Sequence, residues 1–273
     1  MDDLVAFQQL ARADEQRLDL GRAALAIARI EHPALSVDRE LARLDDLAAR
    51  STAAEARDPH VALERLLGFL FEEEGFRGNA EQYYDPRNSC LNDVLDRKLG
   101  IPITLSILTM EVGRRVGIDV EGVGLPGHFI VSASLGARRI FFDPFNGGAV
   151  LTPAQAAQVA AKAVGRPVKL AEAHWAPCPK RQILVRMLRN LKGIYARSED
   201  WFRALAVVER LLVLDAESPV HLRDRGTVLV RMQRLHEGAA AWERYLTRFP
   251  NAQDADGFRE ELRKVRQKIG SLN

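Results

Sequence analysis

The last third of the chain repeats itself. "YARSEDWFRALAVVERLL", starting at Tyr195, lies over "LVRMQRLHEGAAAWERYL", starting at Leu229, an offset of 34 residues. Arg197 falls on Arg231, Glu209-Arg210 on Glu243-Arg244, and Leu212 on Leu246. The small residues Ala204 and Gly238 coincide, where paired helices need a close approach. A period of this length is one helix-turn-helix unit per repeat, and such a unit cannot bury its apolar face alone. "DADGFREELRKVRQKI" follows, with Phe258, Leu262, Val265 and Ile269 at helical spacing, and reads as a terminal capping helix. Two units are fewer than the roughly three an independent array needs, so they are expected to dock on the rest of the chain.

A period of this length is the tetratricopeptide signature, and it calls for helices only. The middle of the chain calls for something else. Helical spacing runs through residues 3–75. In "DPHVALERLLGFLFEEEG", Asp58 caps, Pro59 opens the first turn, and Val61, Leu63, Leu66, Leu67 and Leu70 are expected to face inward. After the loop "GFRGNAEQYYDPRNS" come a short helix from Cys90 to Leu99, stopped by Gly100, and a second from Ile103 to Val116 behind Pro102. The period then changes to 2. "IDVEGVG", "HFIVSAS" and "RRIFFDP" read as three strands of an antiparallel meander, with Gly136 in the second turn. "TPAQAAQVAAKAVG" returns to helix, with Thr152 as its cap, and "AHWAPCPKRQ" reads as a linker. The predicted domains are therefore residues 1–175 and 180–273.

Hydrophobic residues make up 47% of the chain, ample for a core. The net charge of +2 gives no support to a nucleic-acid partner. No apolar run approaches the ~20 residues of a membrane span, so no membrane partner is expected. The start, "MDDLVAF", carries acids where a signal peptide would carry bases. Two cysteines, Cys90 and Cys178, fit a reducing compartment better than a disulfide framework, so the expected location is cytoplasmic. His32, His60, His174, His221 and His236 show no metal-ligand spacing, and neither a metal nor another cofactor is expected.

The chemistry lies in "NSCLND" and in "GLPGHFIVSASLGARRIFFDPF". Cys90, His128 and Asp143 come in an order that supplies a thiol, a base and an orienting carboxylate. Cys90 stands at a helix start, where free N–H groups favour a thiolate. The plainer reading makes it a small buried hydrophobe. Asn88 and Asn92 are caps, or donors lining a cleft.

The stretch "NSCLNDVLDRKLGIPITLSILTMEVGRRVGIDVEGVGLPGHFIV…IFFDPFNGG" resembles the SirB-type transglutaminase-like family, and the helical start and repeat tail are similar to that family's arrangement. The resemblance implies an α+β fold: a helical N-terminal part, a papain-like core with a small antiparallel sheet, and C-terminal α-helical tetratricopeptide repeats. It also implies that His128 and Asp143 match the superfamily's histidine and aspartate on neighbouring strands. In such cores the cysteine generally starts the helix that runs directly into the first strand. Here that position is "IPITLS", residues 101–106, which holds no cysteine; Thr104 and Ser106 are its hydroxyls. Cys90 lies one helix upstream.

Two functions follow. One is thiol-dependent acyl transfer, meaning amide or peptide hydrolysis or transamidation, with Cys90, His128 and Asp143 catalytic. The other is a non-catalytic scaffold in a regulatory role, whose repeats bind a peptide or protein partner on a concave face.

Overall fold

In a computed structural model the chain is described over residues 3–136 and 138–272. It divides into two units. One spans residues 13–187; the other joins the described residues up to Arg12 to those from Leu188 onward.

The first unit opens with three helices, α2 (Leu20–Ala28), α3 (Val37–Arg50) and α4 (Pro59–Gly68), the last running into a π-turn at Phe69–Glu73. Each has a side-chain cap at its N-terminus: Asp19, Ser36 and Asp58 accept from the backbone N–H of Arg22, Arg39 and His60. In α4, Ala62, Leu63 and Leu66 face inward, and Leu70 in the π-turn is buried as well. Val61, expected inside, is 38% exposed, because Ala62 takes the inward position beside Leu63.

A two-residue strand β1 (Arg77–Gly78) pairs in parallel with β2 (Leu99–Gly100). Between them lies α5 (Leu91–Arg97). This helix ends earlier than the glycine signal suggested: Lys98 adopts the left-handed conformation at φ 58°, and its ammonium pairs with Glu74 at 2.6 Å. Gly100 is then free to serve the strand.

Helix α6 (Pro102–Arg115) is buried over nearly its whole length, with Leu105, Ile107, Leu108 and Val112 fully inaccessible. A helix buried on nearly all sides is a core helix, and each large apolar side chain it buries is worth roughly 1.5–3 kcal/mol. Gly113 lets the next strand lie close: a Cβ there would stand 2.8 Å from Val120 Cγ2.

The sheet is an antiparallel meander in the order β3 (Val120–Leu125), β4 (His128–Leu135), β5 (Arg138–Asp143), β6 (Ala149–Leu151). The fourth strand was not anticipated. It follows a turn in which Gly147 and Gly148 both have positive φ. Helix α7 (Pro153–Val164) carries the Thr152–Gln155 capping box and packs Ala156 and Ala160 on Val123, Leu125 and Ile130. The expected linker is partly structured: Pro177 forms an antiparallel bridge with Val123, and the Cys178 N–H donates to Gly122 O at 2.7 Å. The unit closes with the first turns of α8 (Lys180–Arg197).

The second unit holds α1 (Asp3–Ala11), the remainder of α8, α9 (Trp201–Leu214), α10 (Pro219–Arg231), α11 (Leu235–Arg248) and α12 (Ala255–Leu272). The contacts divide the chain differently from the sequence pattern. The N-terminal helix groups with the repeats, burying Phe7 under the Arg210 guanidinium, and the division falls inside α8 rather than at 175–180. Helices α9 and α11 are offset by 34 residues at both ends (201 to 235, 214 to 248). Gly238 sits where a Cβ would meet Val230 Cγ2 at 2.6 Å. Leu262 and Val265 of α12 pack with Leu235, Ala239 and Trp242, joined by Phe258 and Ile269, so α12 covers the last repeat.

Candidate functional site

The β3–β4 connection is two residues, Pro126 and Gly127. Gly127 has φ 69°, and a Cβ there would lie 2.7 Å from Val164 Cγ1, so both conformation and space require glycine. This tight turn puts His128 at the very start of β4. On β5, Phe142 pairs with Val131, which brings the next residue, Asp143, beside Ile130. Ile130 and His128 are two apart on one strand and share a face. The side chains of His128 and Asp143 meet: Nε2 lies 2.8 Å from Oδ2.

Asp143 is completely buried. It also accepts from the Phe145 N–H at 3.0 Å and from Asn146 Nδ2 at 2.7 Å, so its orientation is fixed by three donors. A carboxylate so held fixes the tautomer and ring plane of its imidazole partner. Phe145 stands edge-on to the His128 ring, with centroids 6.0 Å apart, and also edge-on to Tyr83 at 6.1 Å. Gly78 makes room for it, since a Cβ there would be 2.5 Å from the Phe145 ring.

Cys90 does not join this pair. It is fully buried at the N-cap of α5, and among the described residues no hydrogen bond joins its thiol to His128. Burial pushes its pKa well up, and the charges that act on it, Asp93, Glu31 and Asp85, push the same way. The thiol is held protonated, the reverse of what a nucleophile at a helix start needs. The hydroxyls at the start of α6 are engaged too: Thr104 Oγ1 donates to Asn88 O at 2.6 Å, and Ser106 Oγ donates to Pro102 O at 2.7 Å.

Asn88 is fully buried and works inward rather than lining a cleft. Its amide donates to Gln82 O at 2.7 Å and Tyr83 O at 3.3 Å, and its carbonyl accepts from Asn79 Nδ2 at 3.0 Å. It thereby holds the loop that carries Tyr83. Asn92 is also buried, and its Oδ1 has no partner.

Sequence reasoning missed a second pair. His32 Nε2 lies 2.7 Å from Asp93 Oδ2, near Cys90 rather than near His128. It also missed Arg186 on α8, whose Nη2 donates to Leu125 O at 3.0 Å and to His128 O, clasping the turn that presents the histidine. A cavity of about 600 Å³ lies elsewhere, between Arg17, Asp19, Met110, Arg114, Asp119 and Lys180, and holds neither histidine nor thiol. Among the described residues no cluster of histidine, cysteine or acid could hold a metal, and no helix is long and apolar enough to cross a membrane.

A buried helix leading into an antiparallel meander, with histidine and aspartate paired across adjoining strands, defines a transglutaminase-like core. Residues 37–189 match the transglutaminase-like superfamily and residues 191–263 the tetratricopeptide repeat. The chain belongs to that superfamily and, within it, to the UPF0162 proteins. It is 36% identical over 264 residues to the UPF0162 protein of Xylella fastidiosa strain Temecula1, covering 95% of this chain and 94% of that one. The UPF0162 protein of Vibrio cholerae is 30% identical over 258 residues, covering 93% and 94%. Human F-box only protein 21 is 33% identical over 84 residues, 31% of this chain and 13% of that protein. The crystal structure of menin aligns over 98% of this chain and 74% of its own, at 12% identity and a TM-score of 0.43.

Proposed function

We propose that this is a cytoplasmic, non-catalytic transglutaminase-like protein, which binds a peptide or protein partner and acts through that binding. The observation that carries the reading is the placement of Cys90: inaccessible, without a hydrogen bond to His128 among the described residues, and with burial and the charges of Asp93, Glu31 and Asp85 all pushing its pKa up. Thiol acyl transfer needs a thiolate within reach of a base, and among the described residues the His128 ring hydrogen-bonds Asp143 and no thiol or hydroxyl. What the core keeps is a rigid His–Asp pair at the mouth of a hairpin, framed by aromatic rings. The tetratricopeptide tail supports the same reading, since stacked helix pairs present concave peptide-binding surfaces. Two free cysteines suit a reducing cytoplasm.

The test is thiol reactivity in the folded full-length chain. Iodoacetamide labelling from pH 6 to 9, read by peptide mass spectrometry, should modify the partly exposed Cys178 slowly at first and faster as pH rises, since burial lifts its pKa, and leave Cys90 protected until the chain unfolds. Labelling of Cys90 ahead of Cys178 at pH 7, together with amidase or transamidase turnover abolished in C90A, would overturn the proposal.

A further inference from the structure

Arg186 is a cation without a counter-ion. The guanidinium of Arg186 ends on two backbone carbonyls, Leu125 O and His128 O, both reached through Nη2. Among the described residues no acid lies within ion-pair distance of it. Glu15, whose charge acts on Cys178, is taken by the backbone N–H groups of Lys180 and Arg181. Burial lowers the Arg186 pKa, with only the weakly acidic Tyr83 and Cys178 to oppose it. A partly buried charge that lacks an acid partner is costly to keep.

A purely structural clasp would need Nη2 alone. Nη1 and Nε make no hydrogen bond, and neither is sealed from solvent. Nη1 rests over Gly124, where a Cβ would stand 3.3 Å away, so the absence of a side chain keeps that side open. The guanidinium lies on the Phe129 ring at 5.3 Å, which fixes its plane. Tyr83 stands near enough for its hydroxyl to feel the Arg186 charge, and that hydroxyl likewise has no hydrogen-bond partner among the described residues. Tyr84, 63% exposed, stacks edge-on against Tyr83 at 5.3 Å and extends the wall with apolar surface. His128 and Phe145 complete the surround.

We propose that Arg186 and Tyr83 form a carboxylate-binding subsite beside the His128–Asp143 pair, which takes an acidic residue of a peptide ligand, with the exposed Tyr84 ring contacting an apolar neighbour. One open guanidinium edge and one hydroxyl suit the single charge and two oxygens of a carboxylate. A phosphate, with close to two charges, calls for more than one cation. The proposal rests on the binding reading above and names the ligand chemistry of that same site.

The experiment uses the full chain, ¹⁵N-labelled, and follows the Arg186 Nε–H resonance during titration with acetyl-Phe-Glu-amide, acetyl-Phe-Gln-amide and glutarate. The glutamate probe should give saturable shifts. The glutamine probe should bind at least ~tenfold more weakly, the loss of one charge-assisted contact. Y83F, which keeps the ring and removes only the hydroxyl, should weaken the glutamate probe several-fold, and R186Q should abolish the difference between the two probes. Equal affinity of the wild-type chain for both probes overturns the subsite. Glutarate binding as tightly as the glutamate probe overturns the peptide assignment in favour of a free carboxylate. Mass spectrometry of the recovered probes separates the two readings: a cleaved or deamidated probe sinks the non-catalytic reading, whatever the affinities say of the subsite.

Discussion

Replacing His221 with leucine should stabilise the repeat unit. His221 lies on α10, is fully inaccessible, and neither ring nitrogen has a hydrogen-bond partner. A buried polar atom without a partner costs about 1–3 kcal/mol. Leucine has nearly the same volume and no polar atom, so H221L should gain about 1–3 kcal/mol at pH 7.5, less if a water bridges one nitrogen. The pH dependence gives an independent check. Burial lowers the His221 pKa from 6.5, and Lys192 and Arg189 push it down further against the opposing pull of Asp215 and Asp224. The unfolded chain therefore binds the proton more readily than the folded one. Stability from the neutral imidazole is fully present above the unfolded value and is lost as pH falls below it, at up to about 1.4 kcal/mol per pH unit. Urea unfolding at pH 7.5, 6.5 and 5.5, followed by tryptophan fluorescence, measures both effects. The other five histidines cancel in the difference between wild type and variant. The gap should widen on acidification. A variant less stable than wild type at pH 7.5, or a gap constant across the three pH values, would refute the reasoning.

Two further substitutions probe the packing. In G226A the new methyl would stand 2.2 Å from Trp242 Cδ1 and would disturb the Trp242 Nε1 bond to Arg223 O; despite a helix-propensity gain near 1 kcal/mol, thermal unfolding should show a net loss of about 1–3 kcal/mol. D143A strands three donors at once, those of His128, Phe145 and Asn146, and should cost at least ~2 kcal/mol in urea unfolding while broadening the His128 ring resonances, since nothing then fixes the imidazole.

What the sequence discloses here is what local pattern carries. The repeat is legible because its 34-residue offset survives in side chains that must pack on their equivalents. Strands β3, β4 and β5 are legible because each is at least six residues long, carries Val, Ile or Phe, and is bounded by glycine or proline. Strand β6 is three residues long, too short for a period to register, and β1 and β2 are shorter still. The His128–Asp143 pair is visible because one hairpin joins its members. Cys90 looks like a nucleophile in sequence because the acids that keep it protonated come from different places: Glu31 lies just beyond α2, and Asp85 in the loop before α5. His32 meets Asp93 across 61 residues, and Arg186 reaches His128 O across 58, distances at which no pattern speaks. The grouping of the N-terminal helix with the repeats is silent in sequence for the same reason, since Phe7 finds Arg210 only in three dimensions.

The short bridge between Pro177 and Val123 has a consequence for how the sheet meets other chains. An open strand edge is a template: any extended segment that arrives can complete its row of amides and carbonyls. On β3 that row is interrupted by the chain itself, with Gly122 O already holding the Cys178 amide and Leu125 O the Arg186 guanidinium. At the other side β6 offers only three residues. The meander is thus insulated at β3 against strand addition, whether by a ligand or by a second copy. Recognition at this sheet has to proceed through side chains at the hairpin mouth. The stretch around residue 177 is accordingly a seal as much as a connection: an insertion that loosened it would expose β3 and should raise association through that edge as concentration rises.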